Sequence, residues 1–204
     1  MVRAPLTAGT EDGVWVRLAS PYASNGAGFQ FLPEVGDEIV LGFLDGDPDS
    51  GVALGALHSS ARATPVEAGE TNAIKTMTTR SGLKLSFDDD KKIIWAETPG
   101  GRKATLDDKA GTLAFEDQAG NKISLGDDGV VISSPKDVTI KASGRVAIAG
   151  DAGVSAQSSG GDFQARGLNA AVSGDATAKL EGGTSVSLSS GGETKVQGAM
   201  VMIN

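Results

Sequence analysis

Gly82-Leu-Lys-Leu-Ser-Phe87, Gly101-Arg-Lys-Ala-Thr-Leu106 and Gly120-Asn-Lys-Ile-Ser-Leu125 start 19 residues apart, and their recurrence decides the fold. Each opens on glycine, alternates polar and apolar side chains, and runs into an acidic turn: Asp88-Asp89-Asp90, Asp107-Asp108 and Asp127-Asp128. A second short strand completes each unit, at Ile93-Ile94-Trp95, Leu113-Ala114-Phe115 and Val130-Val131-Ile132. Beyond residue 138 the period tightens to eight, with Val138, Val146 and Val154 in one run, continued by Val172, Leu180, Leu188 and Val196. A short fixed period marks a stacked, quasi-one-dimensional architecture whose units cannot bury their apolar side chains alone. The C-terminal two thirds therefore reads as a β-rod, a shape suited to mechanical or scaffolding work before catalysis.

Composition sharpens this reading. Glycine supplies 29 of 204 residues, about twice the usual share, and aromatics only 4%. From Asp137 onward the chain is mostly Gly, Ala, Ser and Thr with isolated aliphatics. That composition alone suits a flexible linker, but a random Gly/Ser tract does not place its aliphatics at i, i+8 and i+16. One or two apolar side chains per eight residues line only one face of a tube. Three chains, each supplying a face, would close a prism with a dry axis and no free strand edge. The spacing thus predicts an intertwined homotrimer, with Val138, Val146, Val154, Val172, Leu180, Leu188 and Val196 as its core. A single-chain solenoid with longer coils is the rival. About 16 eight-residue layers from residue 72 onward, at roughly 4.8 Å each, would give a needle about 80 Å long.

Other classes fall away on composition. There is no cysteine, hence neither disulfides nor thiolate metal sites. No apolar run approaches the roughly 18 residues that read as a membrane span. The N-terminus lacks the basic and apolar regions of a signal peptide, so the expectation is synthesis in the cytoplasm and export by another route. A net charge of −8 without a Lys/Arg cluster disfavours nucleic acid and suits a solvated acidic surface.

Residues 1–62 read as a small barrel. Val14-Trp15-Val16-Arg17-Leu18 alternates as a strand, Phe29-Gln30-Phe31-Leu32 is a short strand ended by Pro33, and Val35-Gly36-Asp37-Glu38 turns into Ile39–Leu44. Asp45-Gly46-Asp47-Pro48-Asp49 is a hairpin turn, from which Gly51–Leu57 returns. Trp15, Phe31 and Phe43 alternate as core residues do, and helix signals are absent throughout. Residues 63–81 follow as a transition, 82–136 as the wide repeats, and 137–204 as the octad needle.

Trp15-Val-Arg-Leu-Ala-Ser-Pro21, Gly28-Phe-Gln-Phe-Leu-Pro-Glu-Val-Gly-Asp-Glu-Ile-Val-Leu-Gly-Phe43, Gly46-Asp-Pro48 and Val52-Ala-Leu-Gly-Ala-Leu57 closely resemble one module. It is the oligonucleotide/oligosaccharide-binding (OB) barrel of the VgrG family. That family comprises the valine-glycine repeat spikes of type VI secretion, related spikes of extracellular contractile injection systems, and central spikes of contractile phage tails. Asn72-Ala-Ile-Lys75, Thr79-Arg80-Ser81-Gly82 and Gly120-Asn121-Lys122-Ile123 look like the family's barrel-to-needle transition. The resemblance implies a trimeric spike at the tip of a contractile tube: three barrels at its base, an intertwined triple-stranded β-helix in front, driven through a target envelope. The family's tube-docking hub is missing, as is the lysozyme-like domain of some phage spikes. Met1-Val-Arg-Ala-Pro-Leu6 looks like the end of a longer first barrel strand. A fragment of a longer spike and a minimal phage-type spike are both open on this reading.

Candidate chemistry is sparse. His58, the only histidine, falls where a loop begins; Ser59 and Ser60 follow it without a nucleophile elbow. Asp45, Asp47 and Asp49, with the clusters Asp88–Asp90 and Asp127/Asp128, could offer oxygen ligands to a hard cation. They lack the spacing of an EF-hand loop and read as turn formers. No metal, cofactor or catalytic residue is assigned. The C-terminus carries the partner expectation: Ala199, Met200, Val201, Met202, Ile203 and Asn204 from three copies would leave a blunt apolar platform. In VgrG-like spikes such a platform receives a conical PAAR-repeat protein that can carry effectors. The expected partners are therefore two further copies, tube and hub proteins of the baseplate, a PAAR tip protein, effector cargo and the target membrane. A trimeric β-helical tail enzyme or an adhesin acting on surface glycans is the alternative. Phe163, the needle's one aromatic, counts against sugar stacking along it.

Overall fold

The computed structural model describes Val2 and residues 13–203. The start of the first barrel strand, apart from Val2, and Asn204 of the platform lie outside the described residues. The described chain is all-β, and its one helical element is the three-residue 3-10 turn Leu44–Gly46 in the expected hairpin connection. Two units divide between Ile140 and Lys141.

The N-terminal strands are short. β1 (Arg17–Leu18) runs parallel to β5 (Gly51–Leu57), which pairs antiparallel with β4 (Glu38–Phe43) through a bulge at Val40/Leu41. β2 (Ala23–Ser24) and β3 (Ala27–Gly28) form a separate hairpin, and Val2 bridges Val14. The turn into β4 explains the Pro-Glu-Val-Gly-Asp-Glu string. Asp37 closes it by accepting the Glu34 N–H at 2.8 Å, and its other carboxylate oxygen meets the Arg62 guanidinium at 3.0 Å. Gly36, at φ +92°, holds a left-handed conformation, and a Cβ there would lie 2.6 Å from the Arg62 guanidinium. The left-handed backbone is what calls for glycine, since the guanidinium is the free end of a long side chain that can swing aside.

Phe29–Leu32 is not a strand, contrary to the alternation of its side chains. Trp15, Phe31 and Phe43 are 85, 58 and 51% exposed rather than core. The reason is physical: the described strands form a three-stranded sheet and a two-stranded hairpin, leaving these side chains no second layer within one chain. Among the described residues Ala53 is the buried hydrophobic.

The wide repeats form a seven-stranded antiparallel meander in strict chain order: β6 (Ile74–Thr78), β7 (Lys84–Asp88), β8 (Ile93–Glu97), β9 (Lys103–Asp107), β10 (Thr112–Glu116), β11 (Lys122–Gly126) and β12 (Gly129–Ser133). Its first strand lies inside the stretch read as transition. The 19-residue repeat is a repeat of turns. Gly82, Gly101 and Gly120 sit at φ +84°, +68° and +85°, and each donates its N–H to the carbonyl three residues back. Thr79, Thr98 and Asp117, also 19 apart, turn a side-chain oxygen onto the N–H four residues on, at 3.2, 3.2 and 3.0 Å. At the other edge, Asp88 and Asp107 accept the N–H three residues on, each at 2.9 Å. The acidic turns at Asp88 and Asp107 are therefore locally capped turns.

Candidate functional site

The meander's two faces differ in kind. Cross-strand registry sets Leu85, Ala96, Ala104, Phe115, Ile123 and Ile132 in one row, and Phe87, Ile94, Leu106, Leu113, Leu125 and Val130 in the next, all on one face. That surface is apolar across six strands, yet Phe115, Leu106 and Ile132 are half exposed. The other face carries Lys84, Glu97, Lys103, Glu116 and Lys122 directly opposite one another, a row that alternates in sign from strand to strand. Beside it Ser86 and Asp88 are buried, and the Ser86 hydroxyl lies 2.8 Å from that of Thr76. A sheet with one mixed face carrying this charged row and one continuous apolar face is half of a sandwich or one wall of a prism.

The octad tail, taken by itself, is more extreme. From residue 137 the backbone is extended, with no strand pairing among the described residues. It turns sharply at 135–136, 143–144, 151–152, 159–161, 168–169, 175–176, 183–184, 191–192 and 199. The segments between turns are mostly six residues long, and apolar side chains take their second and fourth positions. These are Val138 and Ile140, Val146 and Ile148, Val154 and Ala156, Ala178 and Leu180, and Val186 and Leu188. Positions two apart share a face of an extended strand. The Lys179 ammonium accordingly reaches the Glu181 carboxylate at 2.6 Å on the opposite face. Every sequence-predicted core residue, Val138 to Val196, is at least half exposed in the single chain. Backbone N–H and C=O groups along both edges need partners from outside.

The total area gives the magnitude. The chain exposes 18317 Å², whereas a folded monomer of 20.6 kDa exposes about 8,900 Å². The total is about twice the compact value, and exposed large hydrophobic side chains occur on the sheet face, along the tail and among the N-terminal aromatics.

At the C-terminus Met200, Met202 and Ile203 are strongly exposed and Val201 about half so. The other candidates have local roles. His58 Nδ1 lies 3.3 Å from the Arg62 carbonyl. Asp47 accepts the Asp49 N–H and the Ser50 hydroxyl at 3.0 and 2.9 Å, which holds its carboxyl below the ordinary value. Asp88 and Asp89 pair with Lys91 and Lys75. No cluster of three acidic or histidine side chains poised for a metal occurs among the described residues. Nor, among them, is any helix long and apolar enough to cross a membrane. Sequence reading missed the apolar sheet face and the place of Phe163 in the octad series; strand-to-strand registry and turn positions supply both.

Comparison with known proteins places the N-terminal module. Residues 1–58 match the family described as the type VI secretion system/phage-baseplate injector OB domain. The chain is 37% identical over 66 residues to the type VI secretion system spike protein VgrG4b of Pseudomonas aeruginosa, covering 31% of this chain and 8% of that one. It is 27% identical over 78 residues to VgrG1a of the same organism, covering 37% of this chain and 12% of that one. Against the spike protein VgrG3 of Vibrio cholerae it is 27% identical over 112 residues, covering 55% of this chain and 9% of that one. The chain thus spans about a tenth of the length of the curated relatives it matches. The family match lies at residues 1–58, and the stretches shared with these spike proteins are 66 to 112 residues long.

Proposed function

We propose that three copies of this chain form the central spike of a contractile injection machine, as a structural element that pierces an envelope rather than an enzyme. The observation that carries the reading is the tail: an extended chain turning every eight residues, apolar at alternate positions on one face, without a backbone partner of its own. Three such chains winding together would pair every edge and enclose the aliphatic rows. The apolar face of the meander, taken by itself, would likewise be covered if three such sheets closed as the walls of a triangular prism. Relatives named as type VI secretion spikes support a role in that apparatus or a phage baseplate. Synthesis inside the cell and delivery at the tip of a contractile tube follow from it.

The decisive measurement is the solution mass. Light scattering should give three chains, and unheated detergent gels should show a band that collapses only on boiling, because unfolding then requires the chains to separate. A compact single-chain species would overturn the assignment. The tip reading is that Ala199–Asn204 from three copies present an apolar platform to a PAAR-repeat protein carrying effector cargo. Deleting 199–204 should abolish co-purification with that partner while leaving the trimer intact; undiminished binding would refute the platform.

A further inference from the structure

We infer that the Phe163 side chains of three copies meet on the axis of the shaft, and that the long turn Ser159–Gly161 exists to bring them there. The inference rests on the trimeric reading. It starts from an irregularity in the octads. Counting eight from Val154 lands on Asp162, and eight from Ala156 lands on Gln164. Strict periodicity would therefore aim a carboxylate and an amide into the apolar interior in the middle of the shaft.

The backbone avoids this. The turn at 159–161 takes three residues where its neighbours at 143–144 and 151–152 take two. Side chains alternate along an extended strand, so a slip of one residue exchanges the faces. Measured from the turn, Asp162 and Gln164 take the first and third positions of their segment, and Phe163 and Ala165 the second and fourth. The next turn, at 168–169, comes one residue late, and the following segment is one shorter, at 170–174. The original count then resumes at 175–176.

Three observations support the slip independently. First, it leaves every charge of the tail outside: Asp137, Arg145, Asp162 and Glu193 at first positions, Lys179 and Lys195 at third, Lys141, Arg166 and Glu181 at fifth, with Asp151 and Asp175 in turns. An unpaired carboxylate at a dry axis is costly. Second, the long turn is built for its length. Ser158 closes it by donating its hydroxyl to the Gly161 carbonyl at 2.9 Å; a Cβ at Gly160 would meet nothing, and one at Gly161 only the Ser158 Oγ at 3.8 Å. Third, the layers on either side are small. Ala156 before Phe163, and Ala165 and Ala171 after it, are its neighbours in the second-and-fourth-position series, leaving room for three rings where Val138 or Leu188 fill other layers.

The chain has no cysteine, which permits a clean test on the full-length protein with Val146→Cys, Phe163→Cys and Asp162→Cys. After mild copper(II)-phenanthroline oxidation, Val146→Cys and Phe163→Cys should each give disulfide-linked pairs on a non-reducing denaturing gel. Asp162→Cys should remain a single chain. Under native conditions a polyethylene-glycol maleimide should label Asp162→Cys at least tenfold faster than Phe163→Cys. Cross-linking of Asp162→Cys, or equal labelling of positions 162 and 163, would overturn the slip while Val146→Cys still reported a closed shaft. Rapid labelling of Val146→Cys together with a single-chain mass would overturn the trimer itself, and the inference with it.

Discussion

The seven-stranded meander and the octad tail are built from similar short extended segments, yet they reach order by opposite routes. In the meander each strand pairs with its sequence neighbours, and the five connections from β6 to β11 are hairpins capped by a side chain. Apart from the outer edges of β6 and β12, its backbone hydrogen bonds are therefore satisfied within one chain. The tail replaces hairpins with bends that send the chain onward without pairing it to itself, so its edges stay open among the described residues. The difference lies in the turns: a glycine at positive φ with a side-chain cap reverses the chain, whereas the octad turns redirect it. Local contacts form quickly and cheaply, while pairing between chains depends on concentration. The meander is thus the expected nucleus, and the tail the part that stabilises only the assembly.

Leu188→Asp should have the largest effect on this contrast. It would set three carboxylates around the axis, and unpaired buried charge costs several kcal/mol. We expect the light-scattering mass to fall to one chain while circular dichroism still reports the strands of the meander. A trimer of ordinary stability would mean that Leu188 faces outward. Gly101→Ala tests the other side of the comparison. Gly101 holds φ +68°, and a Cβ there would meet the Gln118 side chain at 2.4 Å. Forcing Ala into the left-handed region costs about 1–2 kcal/mol. The thermal midpoint should drop without change of mass. An unchanged midpoint would mean that the turn is not a source of meander stability.

Glu97→Lys comes next. It would place three lysines in succession across β7, β8 and β9, because Glu97 faces both Lys84 and Lys103. Directly opposed like charges cost about 0.2–1 kcal/mol per pair, and added salt should recover most of the loss. A loss that salt does not touch would point to packing instead of charge.

How legible these features are in the sequence follows from the same contrast. The 19-residue repeat is readable because each unit repeats a turn, and a glycine at positive φ leaves a fixed mark. The apolar face is harder to read. Ile93, Trp95, Ala114 and Val131 put apolar residues on the opposite face as well, so alternation within one strand is blurred until registry aligns all seven. Phe29–Leu32 alternates like a strand, but strand formation also requires a partner edge, which alternation does not supply. Phe163 escapes an eight-residue count because the count falls on Asp162. Only the length of the turn, a backbone property, shows that the frame has moved. The platform at 199–203 is legible as composition; its partner is not.

The smallest predicted effect concerns the one titratable cap among the three turns that carry Gly82, Gly101 and Gly120. Thr79 and Thr98 cap their hairpins with hydroxyls, whereas the equivalent Asp117 uses a carboxylate. Its oxygens accept the Asn121 side-chain amide at 2.9 Å and the Asn121 and Ala119 N–H groups at 3.0 and 2.9 Å. The Asn121 side-chain bond, foremost, and these N–H donors hold the carboxyl below its ordinary value. Because the folded value is lowered, the stabilisation is present above the unfolded carboxylate range, near pH 4, and is lost as pH falls through the lowered value. Asp117→Thr would make the three turns alike. The variant should therefore lose less thermal stability than the parent between about pH 5 and pH 2, with nearly equal midpoints at the bottom of that range. A parent and variant whose midpoints fall in parallel would show that the acid sensitivity of the meander lies in its other carboxylates, with Asp88 and Asp107 at the opposite edge as the next to substitute.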